Sequence, residues 1–239
     1  MRVSIMCFSA EASFVAGGVL LAGGIDAVRH SDRPSTLPLA CVPLLFSIQQ
    51  LTEGLVWLGL EGHALGGWFE PAVRLYMTLA TIAWPVLIPL VTLLAEPEVM
   101  RSRVRIRQSL VIVGTSVALY HVYCLLSYPL SASIVDYRIS YNMTVPLAGR
   151  VIGAVLYLAA TVIPYLLSRL ITLRLIGGLI FLAFLVPFFV YHETVISTWC
   201  FFAALISLGV CHAIRNLKST VADPSNPDKS LKKGSGVVG

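Results

Sequence analysis

The sequence predicts an all-α integral membrane protein, a bundle of seven transmembrane helices. Three observations predict this class: an apolar composition, apolar segments of membrane-crossing length, and positive charges concentrated at alternate ends of those segments. Of the 239 residues, 57% are hydrophobic and 12% are charged, and the mean hydropathy is +0.83. In soluble domains roughly a quarter of all residues are charged. A soluble domain this apolar would lack the polar surface that keeps proteins dispersed, so composition favours a membrane protein.

Seven apolar segments lie between charged or Pro- and Gly-rich breaks. Each has about 19 to 25 residues, and about 20 helical residues cross the hydrocarbon core of a bilayer. The segments are 9–29, 37–60, 71–95, 109–129, 146–168, 174–192 and 194–214. They are continuously apolar, without the alternation of a membrane β-barrel, and a helix satisfies its own backbone in lipid. Residues 1–217 are therefore the predicted transmembrane domain, and the polar residues 218–239 are predicted to be a disordered cytoplasmic tail.

The positive charges predict the orientation of the bundle. Four of the 17 Lys and Arg residues lie before the first segment or near the loops after segments two, four and six. The other thirteen lie at the opposite ends and in the tail, and four of them are in the loop MRSRVRIRQ (100–108). Because positively charged loops stay in the cytoplasm, the N-terminus is predicted to face out and the C-terminus in. A basic loop between two spans is a topology signal, so the expected partner is the lipid bilayer and no nucleic acid is expected.

One layer of the bundle is predicted to hold polar side chains from three helices. Glu53, in QQLTEGLVW (49–57), lies seven residues before the end of the second segment, about 10 Å deep at the helical rise. By the same rise, His121 of the fourth segment is about 12 Å deep and Cys200 of the seventh is about 9 Å deep. The three side chains therefore share one depth in the outer half of the membrane.

The candidate ligand-binding residues are the members of this layer and their neighbours. They are Gln49, Gln50, Glu53, Trp57, His121, Trp199, Cys200 and Cys7. Gln49 and Trp57 share the helix face of Glu53 because they are four residues away from it, and Gln50 flanks that face.

An ionisable side chain inside a membrane costs roughly 2.5–3.5 kcal/mol on insertion scales, so Glu53 is expected to face the interior and to have a partner. Three explanations are open. The carboxyl group is protonated, hydrogen-bonded to a glutamine or tyrosine, and structural; or it pairs with Arg74 or Arg150; or it lines a pocket that binds a cation, a proton or a polar ligand.

A metal ion is the one cofactor that the residues suggest. Glu53, His121 and Cys200 are the candidate ligands, because glutamate, histidine and cysteine bind zinc and catalytic zinc sites use three protein ligands and water. No HExxH or HxxxH pattern, Walker loop or CxxCH motif occurs, so the sequence identifies no reaction and no enzyme class. A Cys7–Cys200 or Cys124–Cys200 disulfide and free buried thiols are both compatible with the predicted outer location of these cysteines.

Two classes of function and a structural alternative follow from this layer. The first is an outward-facing pocket that binds a metal ion or a small polar or lipid ligand. The second is a proton- or ion-coupled carrier that uses Glu53, and the third is a scaffold whose polar layer only fixes helix packing. A carrier needs polar groups that reach the cytoplasmic side, and the inner halves offer only Asp26, Cys41 and His212. The sequence therefore favours the one-sided pocket and leaves the oligomeric state open.

Three words of the sequence resemble a known family. MCFSAEASF (6–14), QQLTEGLVW (49–57) and TWCFFAA (198–204) are similar to uncharacterised prokaryotic multi-span membrane proteins that commonly begin MCFSA and carry a WCFFAA-like word. The resemblance implies residence in a prokaryotic plasma membrane, translation from Met6 and no particular reaction. The residues that it assigns to the family's pattern are Cys7, Gln50, Glu53, Trp84, Glu96, Trp199 and Cys200.

Overall fold

Helices make up most of the chain in the computed structural model, which describes residues 9–31, 33–95, 101–190 and 194–222. The helices are α1 (Ala10–Arg29), α2 (Leu37–Ala40), α3 (Val42–Leu60), α4 (Phe69–Thr78), α5 (Trp84–Ala95), α6 (Arg101–Ser127), α7 (Leu147–Leu166), α8 (Ile171–Val190) and α9 (Val195–Ala222). Cys7, Glu96, the connection at 191–193 and the residues from 223 onwards lie outside the described residues. Of the predicted disordered tail, 218–239, residues 218–222 belong to α9.

Six helical segments are long and apolar enough to cross a membrane. They are Ala10–Arg29, Leu37–Leu60, Phe69–Ala95, Val104–Ser127, Ile171–Phe189 and Val195–Arg215. The remaining predicted span coincides with α7, whose apolar part Val151–Leu166 is shorter. A multi-helical protein with several membrane-length segments is therefore confirmed, while the count of seven spans and the orientation stay predictions.

The helical segments form a closed ring in the order of the chain. Each segment packs against the segments before and after it, and α9 returns to pack against α1. Two further contacts cross the interior, between α3 and α9 and between α5 and α7. The contact between α3 and α9 brings QQLTEGLVW (49–57) next to TWCFFAA (198–204).

The third segment changes its helical geometry in the middle of its length. A π-helical turn, Leu79–Ala83, separates α4 from α5. In a π-helix a carbonyl accepts from the fifth following residue, and for Ala80 that residue is Pro85, which has no N–H. The hydroxyl group of Tyr157 in α7 donates to the Ala80 carbonyl instead, at 2.5 Å. The turn leads into Trp84, whose side chain is buried in the bundle.

A β-hairpin between α6 and α7 corrects the all-α prediction. Strand β1 (Leu130–Val135) pairs antiparallel with β2 (Arg138–Met143). The two residues between the strands, Asp136 and Tyr137, have φ values of 46° and 60°. Positive φ at both central positions is the geometry of a type I′ turn, whose twist matches that of paired strands. These residues lie between two predicted spans, where hydropathy does not distinguish a hairpin from a loop.

The orientation of the bundle can be tested with two exposed loop residues. We expect a cysteine at Ala64, in the loop before α4, to react with a membrane-impermeant reagent on intact cells, because this loop carries no positive charge. A cysteine at Ser35, in the loop after α1, should react only after permeabilisation. Ala64 is preferred to Gly66, whose φ of +54° disfavours a side chain. Both variants need a background without the native cysteines, and the reverse labelling pattern would show the opposite orientation.

Candidate functional site

Glu53 of α3 lies in the interior of the bundle and is 1% exposed. The Ser197 hydroxyl of α9 donates to Glu53 Oε1 at 2.5 Å, and Gln50 Nε2 donates to Glu53 Oε2 at 3.2 Å. Neither partner carries a charge, and no lysine, arginine or histidine of the described residues forms an ion pair with this carboxyl group. Arg74 is bound to Glu70 at 2.9 Å on the surface, so of the alternatives left open by the sequence the Glu53–Arg74 pair is excluded, while the side chain of Arg150 lies outside the described residues.

Gln49 ties the same helix to the third segment. Its Oε1 accepts a hydrogen bond of 2.5 Å from Trp84 Nε1, and the Trp84 ring stacks on Phe46 with centroids 3.9 Å apart. An indole nitrogen only donates, so this bond determines which end of the Gln49 amide faces Trp84. The amide nitrogen therefore points to the other side, toward Tyr76 and Cys200.

Two residues of α9 and one of α4 complete the surroundings of Glu53. Ser197 and Cys200 are three residues apart and so share one face of α9. Cys200 is 5% exposed and lies beside Glu53, Gln49 and Tyr76. Tyr76 of α4 is fully buried, and its phenol interacts with Glu53 and Cys200.

The hairpin adds Tyr141 to the same group of residues. Its ring stacks on that of Tyr76, with centroids 4.6 Å apart and an angle of 11° between the planes. Burial raises the pKa of Tyr141 well above the ordinary value, and Glu53 and Cys200 raise it further. Tyr141 is therefore a neutral phenol at ordinary pH. We call these residues the Glu53 cluster: Gln49, Gln50, Glu53, Tyr76, Tyr141, Ser197 and Cys200.

Four buried side-chain atoms of the Glu53 cluster have no hydrogen-bond partner among the described residues. They are Gln49 Nε2, Gln50 Oε1, Tyr76 Oη and Tyr141 Oη. A buried polar atom without a partner costs about 1–3 kcal/mol, and native structures contain few of them. These four unpartnered atoms therefore all belong to residues grouped around one buried carboxyl group.

The predicted site residues divide between this cluster and its surroundings. Gln49, Gln50, Glu53 and Cys200 are neighbours in it. Trp57 is buried in an apolar cluster with residues such as Val73 and Met77, where it packs.

Trp199 faces α8, because its Nε1 donates to the Ile180 carbonyl at 3.1 Å. The thiols of Cys124 and Cys200 are free, so no disulfide joins them.

His121 is held by its own helix. Its Nδ1 is 2.8 Å from the Val117 carbonyl oxygen, and its ring lies against Tyr120 and Tyr157. No described hydrogen bond or ion pair joins it to Glu53 or Cys200. Within the described residues there is also no group of three or more His, Cys, Asp or Glu side chains placed to hold a metal ion.

A small cavity lies next to the Glu53 cluster. It has a volume of about 30 Å³, and its wall includes Trp84 and Cys200. Most of the other lining side chains are aromatic or aliphatic, among them Phe46, Ile176 and Trp199. A volume of this size admits only water-sized molecules, roughly 10–15 Å³ being enough for one. The cavity therefore does not extend the polar cluster into a pocket for an organic ligand.

Four residues of this region were not candidates from the sequence: Tyr76, Tyr141 and Ser197, and Trp84 as the partner of Gln49. Ser197 had a signal, since it lies one turn before Cys200 on the same helix face. Tyr76 and Tyr141 had none, because their position depends on how α4 and the hairpin pack against α3.

A comparison with family models matches residues 6–225, which include the whole Glu53 cluster. The chain belongs to DUF6629, a family of unknown function. Membership of an uncharacterised family, as the three sequence words imply, is thereby confirmed. The prokaryotic origin of DUF6629 and the role of its individual motifs stay predictions. Comparisons with curated proteins and with solved structures gave no match.

Proposed function

We propose that this DUF6629 protein is a membrane protein that binds a small monovalent cation, a proton or an alkali metal ion, in the Glu53 cluster. The observation that carries the proposal is a fully buried carboxyl group with two neutral hydrogen-bond partners and no ion-pair partner among the described residues. An isolated buried carboxylate costs several kcal/mol, because its lost hydration is not replaced. A bound cation or proton removes this charge.

The atoms around Glu53 favour a hard cation. Besides the carboxylate, the cluster offers four further oxygen atoms: the unpartnered Gln50 Oε1, Tyr76 Oη and Tyr141 Oη, and the Ser197 hydroxyl. Oxygen ligands suit alkali and alkaline-earth ions, whereas zinc and copper prefer imidazole and thiolate ligands. Only one group of the cluster is an ordinary carboxylate, so a monovalent ion neutralises it, and a divalent ion would leave excess positive charge.

The other hypotheses from the sequence fit the geometry less well. A lipid headgroup needs an open pocket, and Gln49, Gln50 and Glu53 are at most 1% exposed. A purely structural polar layer leaves four buried atoms unpartnered. A carrier needs the same cation site and, in addition, a route to the cytoplasmic side.

The proposal predicts that Glu53→Gln folds but loses its response to cations. Gln50 can reverse its amide, so that its Oε1 accepts from the new amide group while Ser197 still donates to the new carbonyl. A ligand at a hundredfold excess over its Kd stabilises a protein by about 2.7 kcal/mol. We therefore expect the Tm of wild-type protein in detergent to rise with one alkali chloride relative to choline chloride at equal ionic strength. In Glu53→Gln this rise should be absent.

Sodium, potassium and lithium are tested separately, and a pH series identifies a proton as the ligand. If protons bind, acidification should raise the Tm of the wild type in choline chloride and leave Glu53→Gln unaffected. Glu70→Gln is the matched control, because Glu70 is an exposed glutamate bound to Arg74. The proposal would be contradicted if neither alkali ions nor pH changed the Tm of the wild type differently from that of Glu53→Gln.

A further inference from the structure

We infer that the hairpin β1–β2 is a movable cover of the Glu53 cluster and that Tyr141 both seals the site with its ring and contacts the bound cation with its hydroxyl group. The second part rests on the proposed function, while the first does not depend on the identity of the ligand.

The hairpin packs on the helices that supply the site. Strand β1 contacts α3 and α4, and strand β2 contacts α9. Helix α3 carries Glu53, α4 carries Tyr76, and α9 carries Ser197 and Cys200. The hairpin therefore bridges the three helices whose side chains form the cluster.

The inner face of β2 reaches into the bundle. Ile139 is fully buried and Tyr141 is 8% exposed. The Tyr141 ring lies flat on the ring of Tyr76, another member of the cluster. Its hydroxyl group is buried without a hydrogen-bond partner among the described residues, and Glu53 is one of the groups that raise its pKa. One side chain thus provides both a wall and a polar atom.

Entry of a cation requires part of this structure to move, because Glu53 is 1% exposed. The spans around the cluster are long helices held on both sides within a ring, whereas an isolated two-stranded hairpin is marginally stable in water. Its turn is also strained, since the bulky Tyr137 adopts a φ of 60°. The hairpin has little stability of its own and depends on its packing against α3, α4 and α9, so it is the element whose displacement exposes the site most readily.

Cys200 provides a native reporter beneath the hairpin. In a background in which the other cysteines are replaced by alanine, its reaction with 2-aminoethyl methanethiosulfonate is followed on purified protein in detergent. We expect Tyr141→Ala to increase the rate of this reaction at least tenfold, because the ring no longer covers the cluster. Tyr141→Phe should react at the wild-type rate, since it keeps the ring. Tyr137→Ala, at the exposed turn, should also leave the rate within twofold.

A second reporter distinguishes opening of the cover from general loosening. Ala204 is fully buried one turn further along α9 and belongs to the other apolar cluster, away from the hairpin. The variant Ala204→Cys, with Cys200→Ala, should react equally slowly whether residue 141 is tyrosine or alanine. An equal acceleration of both reporters by Tyr141→Ala, or no acceleration of Cys200, would overturn the cover.

The contact with the cation is tested by the hydroxyl group alone. In the salt and pH series described above, Tyr141→Phe should lose at least half of the Tm shift that the effective cation produces in the wild type. An undiminished shift would overturn this contact. If no cation shifts the wild-type Tm, both the proposed function and the contact fail, and the labelling rates still decide whether the hairpin covers the site.

Discussion

Gly114→Ala is expected to destabilise the protein by more than about 3 kcal/mol, beyond the usual 1–3 kcal/mol for overpacking. Gly114 of α6 lies directly against the backbone of α5. A Cβ at this position would overlap the Pro85 carbonyl oxygen and would lie 2.7 Å from the Pro85 carbonyl carbon. A neighbouring side chain could rotate away from the new methyl group, but the Pro85 carbonyl is part of the α5 backbone and cannot move without distorting that helix. In an α-helix the Pro85 carbonyl would accept from the N–H of residue 89, but Pro89 has no N–H, so this oxygen is free to approach the neighbouring helix.

The effect of Gly114→Ala can be measured as a fall in Tm and in the yield of monodisperse protein after detergent extraction. Gly178→Ala is the matched control. Gly178 lies within α8, and nothing lies within 4 Å of a Cβ built there. Because alanine favours helix over glycine by about 1 kcal/mol, this variant should be neutral or slightly stabilised. A wild-type Tm for Gly114→Ala would contradict the close contact between α5 and α6.

Arg107→Met is expected to cost at least about 3 kcal/mol, because at least two hydrogen bonds from a charged donor are lost and each contributes about 1.5–3 kcal/mol. The Arg107 side chain is 2% exposed. It donates through Nη1 to the Thr92 carbonyl at 3.3 Å and through Nη2 to the Leu167 carbonyl at 3.1 Å. These carbonyls lie at the C-terminal ends of α5 and α7, where helices have unsatisfied acceptors and a partial negative charge. Arg107 of α6 therefore joins the ends of the neighbouring helices α5 and α7.

Arg105→Met is the control for this prediction. Arg105 is exposed on the same helix, and both substitutions remove one positive charge from the N-terminal end of α6. The two substitutions should therefore affect membrane orientation equally, and they differ only in that Arg107→Met also removes buried hydrogen bonds. We expect the Tm of Arg105→Met to be close to that of the wild type, since surface substitutions usually change stability by less than about 0.5 kcal/mol. Equal Tm values for the two variants would show that Arg107 acts only as a topology signal.

The positions of the spans could be predicted because the requirement for them is local. The predicted segment 37–60 coincides with Leu37–Leu60, and 9–29 coincides with α1 within one residue. Length and hydropathy determine whether a helix can cross a bilayer, and both are properties of a continuous segment. The inward orientation of Glu53 could be predicted for a related reason, since a charged group facing lipid is costly.

The composition of the site could be predicted only in part, because depth along a helix does not determine direction around the bundle. Glu53, His121 and Cys200 have matching predicted depths, yet only Glu53 and Cys200 are neighbours in the structure. The side of the ring on which a helix lies depends on packing with other helices. The two residues from outside α3 and α9, Tyr76 and Tyr141, could not be predicted from depth, since depth does not place the helices around the bundle and Tyr141 lies on a hairpin outside the helical segments.

The sequence by itself determined that the chain is mostly helical with several membrane-length segments, the approximate place of those segments and the inward orientation of Glu53. The tertiary structure alone decided which side chains meet Glu53. Ser197 and Glu53, 144 residues apart in the chain, are hydrogen-bonded because the ring closes and brings α9 against α3. The hairpin then places Tyr141 on Tyr76. Such contacts depend on the simultaneous packing of several elements, and no local pattern of residues encodes them.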